Sequence, residues 1–308
     1  MIAESTTIIG ELENSLGVPT FAFLSHWIGE YAVDADEEAG RLLVSTVVDR
    51  LRRENADEIA LILVARGGYP IFADAVIRAM RHLDVDLQVL LPARVDGAAS
   101  LLTLAAEKIT LHPQAGLGAV DSGLCVAPRR PFNAALHAYS AVDPVSLLEM
   151  EEGSRAEMAR LAYDRLIRHE QRRTAAHLLS GRDLDEAQIA SFTTDTLGAG
   201  LSAGATQLDQ ASFDVRVAPA PLAEQLEALL AWGQEALSLF RSPQERFQLS
   251  DGLADEVEFE PATLVPAAAV VSIDAVWLHE LDTGSPDPDA PKLMGHWRSW
   301  DPASRDSE

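Results

Sequence analysis

The sequence predicts an α/β protein: a parallel sheet flanked by helices, followed by a helical C-terminal extension. Three observations carry this. Over residues 1–125, short apolar runs of strand length alternate with helix-patterned stretches, the order that a parallel sheet with crossover helices imposes. One run, residues 59–64 (IALILV), is apolar at every position, as a strand covered on both faces must be. Small residues fall where strands end and helices begin, at Gly67, Gly68 and again at Gly97 and Ala98, where the backbone turns sharply.

Residues 20–24 read as the first strand. Residues 36–55 open on an acidic run and carry Leu42, Leu43, Val47, Val48 and Leu51 at helical spacing, which predicts a crossover helix. Residues 59–64 form the next strand. The turn Arg66, Gly67, Gly68, Tyr69, Pro70 feeds a helix over 71–82, with Ile71, Ala75, Val76 and Met80 on one face. Residues 86–91 (DLQVLL) are a strand, 97–107 an Ala- and Leu-rich helix, and 108–111 a short strand that runs into a glycine-containing loop at 113–123.

After that the pattern turns helical. Asp143 and Pro144 form an N-cap and N1 pair for a helical stretch to about residue 179, with a break near Gly153. Residues 181–192 read as a short helix. Residues 221–240 carry Leu222, Leu226, Leu229, Leu230, Leu237 and Phe240 on one stripe, suited either to an oligomer surface or to the monomer core. The division is an α/β core over 1–125, a helical extension over 126–245, a terminal segment over 246–281 in which 265–278 is a strand or a helix, and an acidic mobile tail over 282–308 with four prolines.

The chain has 308 residues and a net charge of -24, from 48 Asp plus Glu against 24 Lys plus Arg. That balance excludes nucleic acid as a partner, because phosphate backbones need clustered cations. The only two lysines are Lys108 and Lys292. Cys125 is the single cysteine and reads as a small apolar filler, and the eight histidines form no zinc-binding spacing. Neither a metal nor a cofactor is expected. Glu4 stands where a signal peptide would be basic, and the longest apolar run, residues 264–271, is far short of the roughly 18 residues of a membrane span. The expectation is a soluble, cytoplasmic protein with no membrane partner.

Three turns offer chemistry. Gly67 and Gly68 let backbone N–H groups approach a bound carbonyl, as in an oxyanion hole, or they are simply a tight turn. Residues 95–100 (VDGAAS) have the small side chains that a nucleophile elbow needs; close packing of helix on sheet needs them equally. The loop 112–121 (HPQAGLGAVD) offers His112 as a base and Asp121 as its orienter.

Read together, LILVARGGYPIFADAVIRAM and LLPARVDGAASLLTLAAEKITLHPQAGLGAVDSGL, with ELEN before the first strand, resemble the serine dehydrogenase proteinase family. That family lies in the larger grouping of Clp proteases, signal peptide peptidase A and crotonases. The resemblance covers residues 10–125 and implies a Clp protease/crotonase-like fold. Laying LLTLAAEKI on the family's LIALAADEI puts the nucleophilic serine at Gly97, which has no side chain, and the family's threonine at Ser100.

The resemblance thus implies a pseudopeptidase that retains a backbone frame at Gly67, Gly68 and Ala98 and binds a peptide or protein partner. The alternative is an active serine peptidase in which Ser100 attacks, with His112 and Asp121 completing a triad. A Ser–Lys dyad is disfavoured, since Lys108 sits in a strand lead-in and Lys292 in the tail. A third reading is crotonase-like thioester chemistry with Asp96 or Asp121 as base. Arg66 and Arg94 follow successive strands and face one cleft, fit for an anionic ligand. Members of this grouping commonly form rings, which implies a homo-oligomer.

Overall fold

The computed structural model describes residues 2–25, 35–121, 168–179, 186–197, 201–237, 264–282 and 295–300. Cys125, Lys292 and the helical stretch expected from Asp143 to residue 167 lie outside them.

The order is α1 (Ile2–Leu16), β1 (Thr20–Ser25), α2 (Glu37–Glu54), β2 (Glu58–Val64), α3 (Pro70–Leu83), β3 (Asp86–Leu91), α4 (Ala98–Ala105), β4 (Lys108–Leu111) and β5 (Leu117–Gly118). There follow α5 (residues 168–179), α6 (Glu186–Ser191), α7 (Thr194–Leu197), β6 (Ser202–Ala203), α8 (Ala205–Gln210), β7 (Val215–Val217), α9 (Ala220–Leu237), β8 (Leu264–Val271), β9 (Val276–Asp282) and β10 (Gly295–Trp300).

The crossover helices start and stop where local chemistry dictates. The Asp36 carboxylate accepts the Ala39 N–H at 2.8 Å and opens α2, and Asn55 closes it in the left-handed region at φ 49°. Pro70 stands in the first turn of α3, where its missing N–H costs nothing, and Asp84 closes that helix at φ 54°.

An eight-stranded sheet runs in the order β10-β9-β8-β1-β2-β3-β4-β7. β1, β2, β3, β4 and β7 pair in parallel, and β8, β9 and β10 extend the sheet from β1 as an antiparallel meander. The protein is therefore α/β with a mostly parallel central sheet. Strand residues alternate between the two faces. Phe21, Phe23, Leu61 and Leu63 belong to one buried cluster, together with side chains of α2, α3 and α4. Ala22, Leu24, Ala60, Ile62 and Val64 belong to the other, with Ile8, Ile9 and Leu12 of α1 and Leu222, Leu226 and Leu229 of α9. Two helical layers thus enclose the sheet, and the leucine stripe of α9 is monomer core.

The sheet does not stop at residue 125. β7 extends one side of it beyond β4, with Ile109 opposite Val215. On the other side β8 pairs with β1, with Ala22 opposite Val271. Residues 295–300, which the sequence places in a mobile tail, form β10 against β9, from Gly295 opposite Leu281 to Trp300 opposite Val276. The physical reason is that no proline falls inside this segment, and its tryptophans reach opposite clusters, Trp297 packing on the first and Trp300 on the second.

Candidate functional site

The candidate site lies at the carboxyl ends of β2 and β3, where open α/β sheets present their loops to ligands. Three loops meet there and are tied by their own backbones. The Gly67 N–H donates to Asp96 O at 3.2 Å, Asp96 N–H to Ala65 O at 3.3 Å, and Ala98 N–H to Gly67 O at 3.1 Å. The Gly97 N–H donates to Ala119 O at 3.0 Å and the Gly118 N–H to Val95 O at 2.7 Å. The N–H groups of Gly67 and Ala98, two of the three in the expected frame, are thus spent on internal bonds. An oxyanion hole needs its donors aimed at the reacting oxygen.

The glycines are there for geometry. Gly67 and Gly68 have φ of 82° and 101°, values that L side chains rarely adopt. A Cβ on Gly68 would also come within 2.8 Å of the Ala35 Cβ. Gly97 caps α4 at φ 60° and ψ -121° without a side-chain hydrogen bond. A residue with a side chain would carry strain of about 1–3 kcal/mol in such a region, of the kind a nucleophile elbow sustains to expose its attacking group. Glycine at this turn avoids most of that strain.

Ser100 lies one turn further on in α4, a helix buried at all eight positions. It is 0% exposed, and its hydroxyl donates to the Val95 carbonyl at 3.2 Å. Its proton faces the backbone of its own turn.

Asp96 is 2% exposed. Its carboxylate accepts from Arg66 Nε at 2.8 Å and from Arg94 Nη2 at 2.7 Å. The two arginines do converge, and the group they converge on is this internal carboxylate. With both oxygens engaged by guanidinium groups, Asp96 is a structural counter-ion rather than an available base.

His112 and Asp121 are engaged by partners other than Ser100. Leu111 faces the cluster under α4, so the next residue of the extended chain faces the opposite side of the sheet, and His112 Nε2 meets Glu227 of α9 at 2.9 Å. The Gln114 N–H donates to His112 Nδ1 at 3.2 Å, so the hydrogen-bond network puts the ring proton on Nε2, directed at the carboxylate. A triad base needs one ring nitrogen free to take the serine proton. Asp121, 3% exposed, lies 3.4 Å from Arg172 Nε of α5.

Lys108 occupies the amino end of β4, away from the glycine turns, and pairs with Glu58 at 2.7 Å. The hydrogen bond that Lys108 donates to Glu58 raises its pKa above the ordinary lysine value, with burial opposing and the Glu58 and Asp86 charges assisting. A general-base lysine needs the reverse. Among the described residues no group of His, Cys, Asp and Glu is arranged to hold a metal, and no helix is long and apolar enough to cross a membrane.

The partners Glu227 and Arg172 were not legible in the sequence, being 115 and 51 residues away from the groups they meet. No protein-family model matches the chain, and no curated protein does.

Proposed function

We propose that this chain is a catalytically silent member of the Clp protease/crotonase class, of the serine dehydrogenase proteinase type. In this reading it binds a peptide or protein partner in the cytoplasm without cleaving it. The observation that carries the reading is the pairing of Gly97, at the elbow where the resemblance puts the nucleophile, with a Ser100 hydroxyl that is buried and bonded to the Val95 carbonyl. A serine so held is closed off from solvent and bonded to backbone, whereas nucleophilic catalysis requires a base and an open path to the scissile carbonyl. The internal bonds of the Gly67 and Ala98 N–H groups support the same reading. So does Asp96, which shares its carboxylate between Arg66 and Arg94 and so lends no support to the crotonase-like alternative. Assembly of several copies belongs to the proposal, and light scattering reads it directly. The functional test is turnover of fluorescent casein and of peptide ester substrates. Wild type and Ser100→Ala should show the same background rate, and a wild-type rate abolished by Ser100→Ala would favour the active peptidase instead.

A further inference from the structure

We propose that the groove between the first turns of α2 and α3 docks an extended segment of a protein partner in which a lysine or arginine lies beside a bulky apolar side chain. This inference rests on the reading of the chain as a binding scaffold and specifies where and what it binds.

The groove is a shallow, open concavity of about 480 Å³ lined by Asp36, Glu37, Glu38, Arg41, Tyr69 and Ile71. Its location follows from the topology. α2 follows β1 and α3 follows β2, and these strands are parallel neighbours. Both first turns therefore lie at the carboxyl end of the sheet, and Tyr69 directly follows the glycine pair, its N–H bonded to Ala35 O at 2.8 Å.

Tyr69 is 45% and Ile71 42% exposed, two of five large hydrophobic side chains exposed among the described residues. The sequence pattern puts Ile71 on the buried face of α3. The helix instead turns Phe72, Ala73, Val76, Ile77 and Met80 to the core and leaves Ile71 in the groove. Scattered exposed hydrophobics need no explanation, but two that line one concavity define an apolar floor.

The charges around that floor select the occupant. Three carboxylates face one guanidinium. Asp36 is committed to capping α2, and Arg41 lies 3.6 Å from Glu38. Glu37 has no ion pair among the described residues, and it is the carboxylate left for an incoming cation. A lysine or arginine stem can lie along the Tyr69 ring while its head reaches Glu37, and a neighbouring apolar side chain covers Ile71. An acidic segment would meet repulsion, from the groove and from the chain's net charge of -24.

The test uses the full chain and short fluorescein-labelled peptides of alternating Leu and Lys, Leu and Glu, or Ser and Lys, read by fluorescence anisotropy. The Leu–Lys peptide should bind most tightly. The double variant Tyr69→Ser with Ile71→Ser should weaken it about tenfold, the scale set by removing a pair of apolar anchors. Glu37→Gln should weaken it about threefold and flatten its salt dependence, while Glu11→Gln on the exposed side of α1 should leave it unchanged. Both groove side chains are exposed, so the variants should melt like the wild type. A benzophenone-bearing Leu–Lys peptide should crosslink to the segments that hold Glu37 and Tyr69. Equal binding of the Ser–Lys or Leu–Glu peptide, an unchanged affinity in the double variant, or an equal loss in Glu11→Gln would overturn the proposal. These readouts are independent of serine chemistry, so a failed groove and a failed scaffold reading are told apart.

Discussion

Gly118 and Asp96 share one space: a Cβ on Gly118 would overlap the Asp96 carboxylate and come within 2.7 Å of the Val95 carbonyl oxygen. The carboxylate in turn holds Arg66 and Arg94, so the bare Gly118 backbone is what lets the two loops close over a buried carboxylate. Gly118→Ala should force them apart. The expected loss is about 2–4 kcal/mol, combining overpacking with a disturbed buried charge. Urea denaturation should show a lower midpoint with an unchanged slope, and a wild-type midpoint would contradict the close approach.

Arg50 fastens the edge of the fold, and its network should make stability depend on pH. From α2 it reaches Glu13 of α1 at 2.7 Å, Glu54 at 2.6 Å and Asp274, between β8 and β9, at 2.6 Å, so one side chain links both helical layers to the antiparallel meander. Burial by itself pushes the Asp274 carboxyl up, but hydrogen bonds and charge from Arg50 and Arg53 outweigh it and hold its pKa below the ordinary 3.8. A depressed carboxylate stabilises the fold above its unfolded pKa, and that contribution is lost as pH falls through the folded value. Wild type should therefore lose stability below about pH 4, near the ordinary aspartate value, and Asp274→Asn should be less stable at neutral pH with a flatter acid limb. Identical pH profiles for the two proteins would count against the network.

His112 should behave as a structural residue. His112→Ala removes the link to Glu227 on α9 and leaves a small buried gap, at a cost of about 1–3 kcal/mol. Thermal melts should show the loss. Peptide binding at the α2–α3 groove should be unaltered, because the imidazole faces the other side of the sheet.

The crossover half of the fold was legible because each element carries its own pattern. The alternation from Thr20 to Leu111, the apolar run of β2, the capped start of α2 and the proline in the first turn of α3 follow from local side-chain chemistry, and β3 and β4 fall where the sequence predicts. α1 was not predicted. Thr6, Thr7, Ile8 and Ile9 are poor helix formers, and the helix is held by burying Ile9 and Leu12 against the sheet. β7 is only three residues long and β10 carries a single tryptophan on each face among polar residues, so neither repeats long enough to be read without its partner strand. At the site, the glycine turns and the missing side chain at Gly97 were visible. The hydrogen bond from Ser100 to Val95, the tautomer of His112 and the clamp on Asp96 depend on distances that no spacing encodes. Arg66 and Arg94 meet at Asp96, and that shared partner was hidden in the sequence because it lies two residues after Arg94 and looks like part of the turn.

The proposal turns on Ser100 not being poised for attack. The most direct measurement is stoichiometric labelling with a fluorophosphonate probe, read by intact mass on wild type and Ser100→Ala. No adduct is expected on either protein at neutral pH, over times that saturate an active serine peptidase. One adduct per wild-type chain, absent from Ser100→Ala, would contradict it.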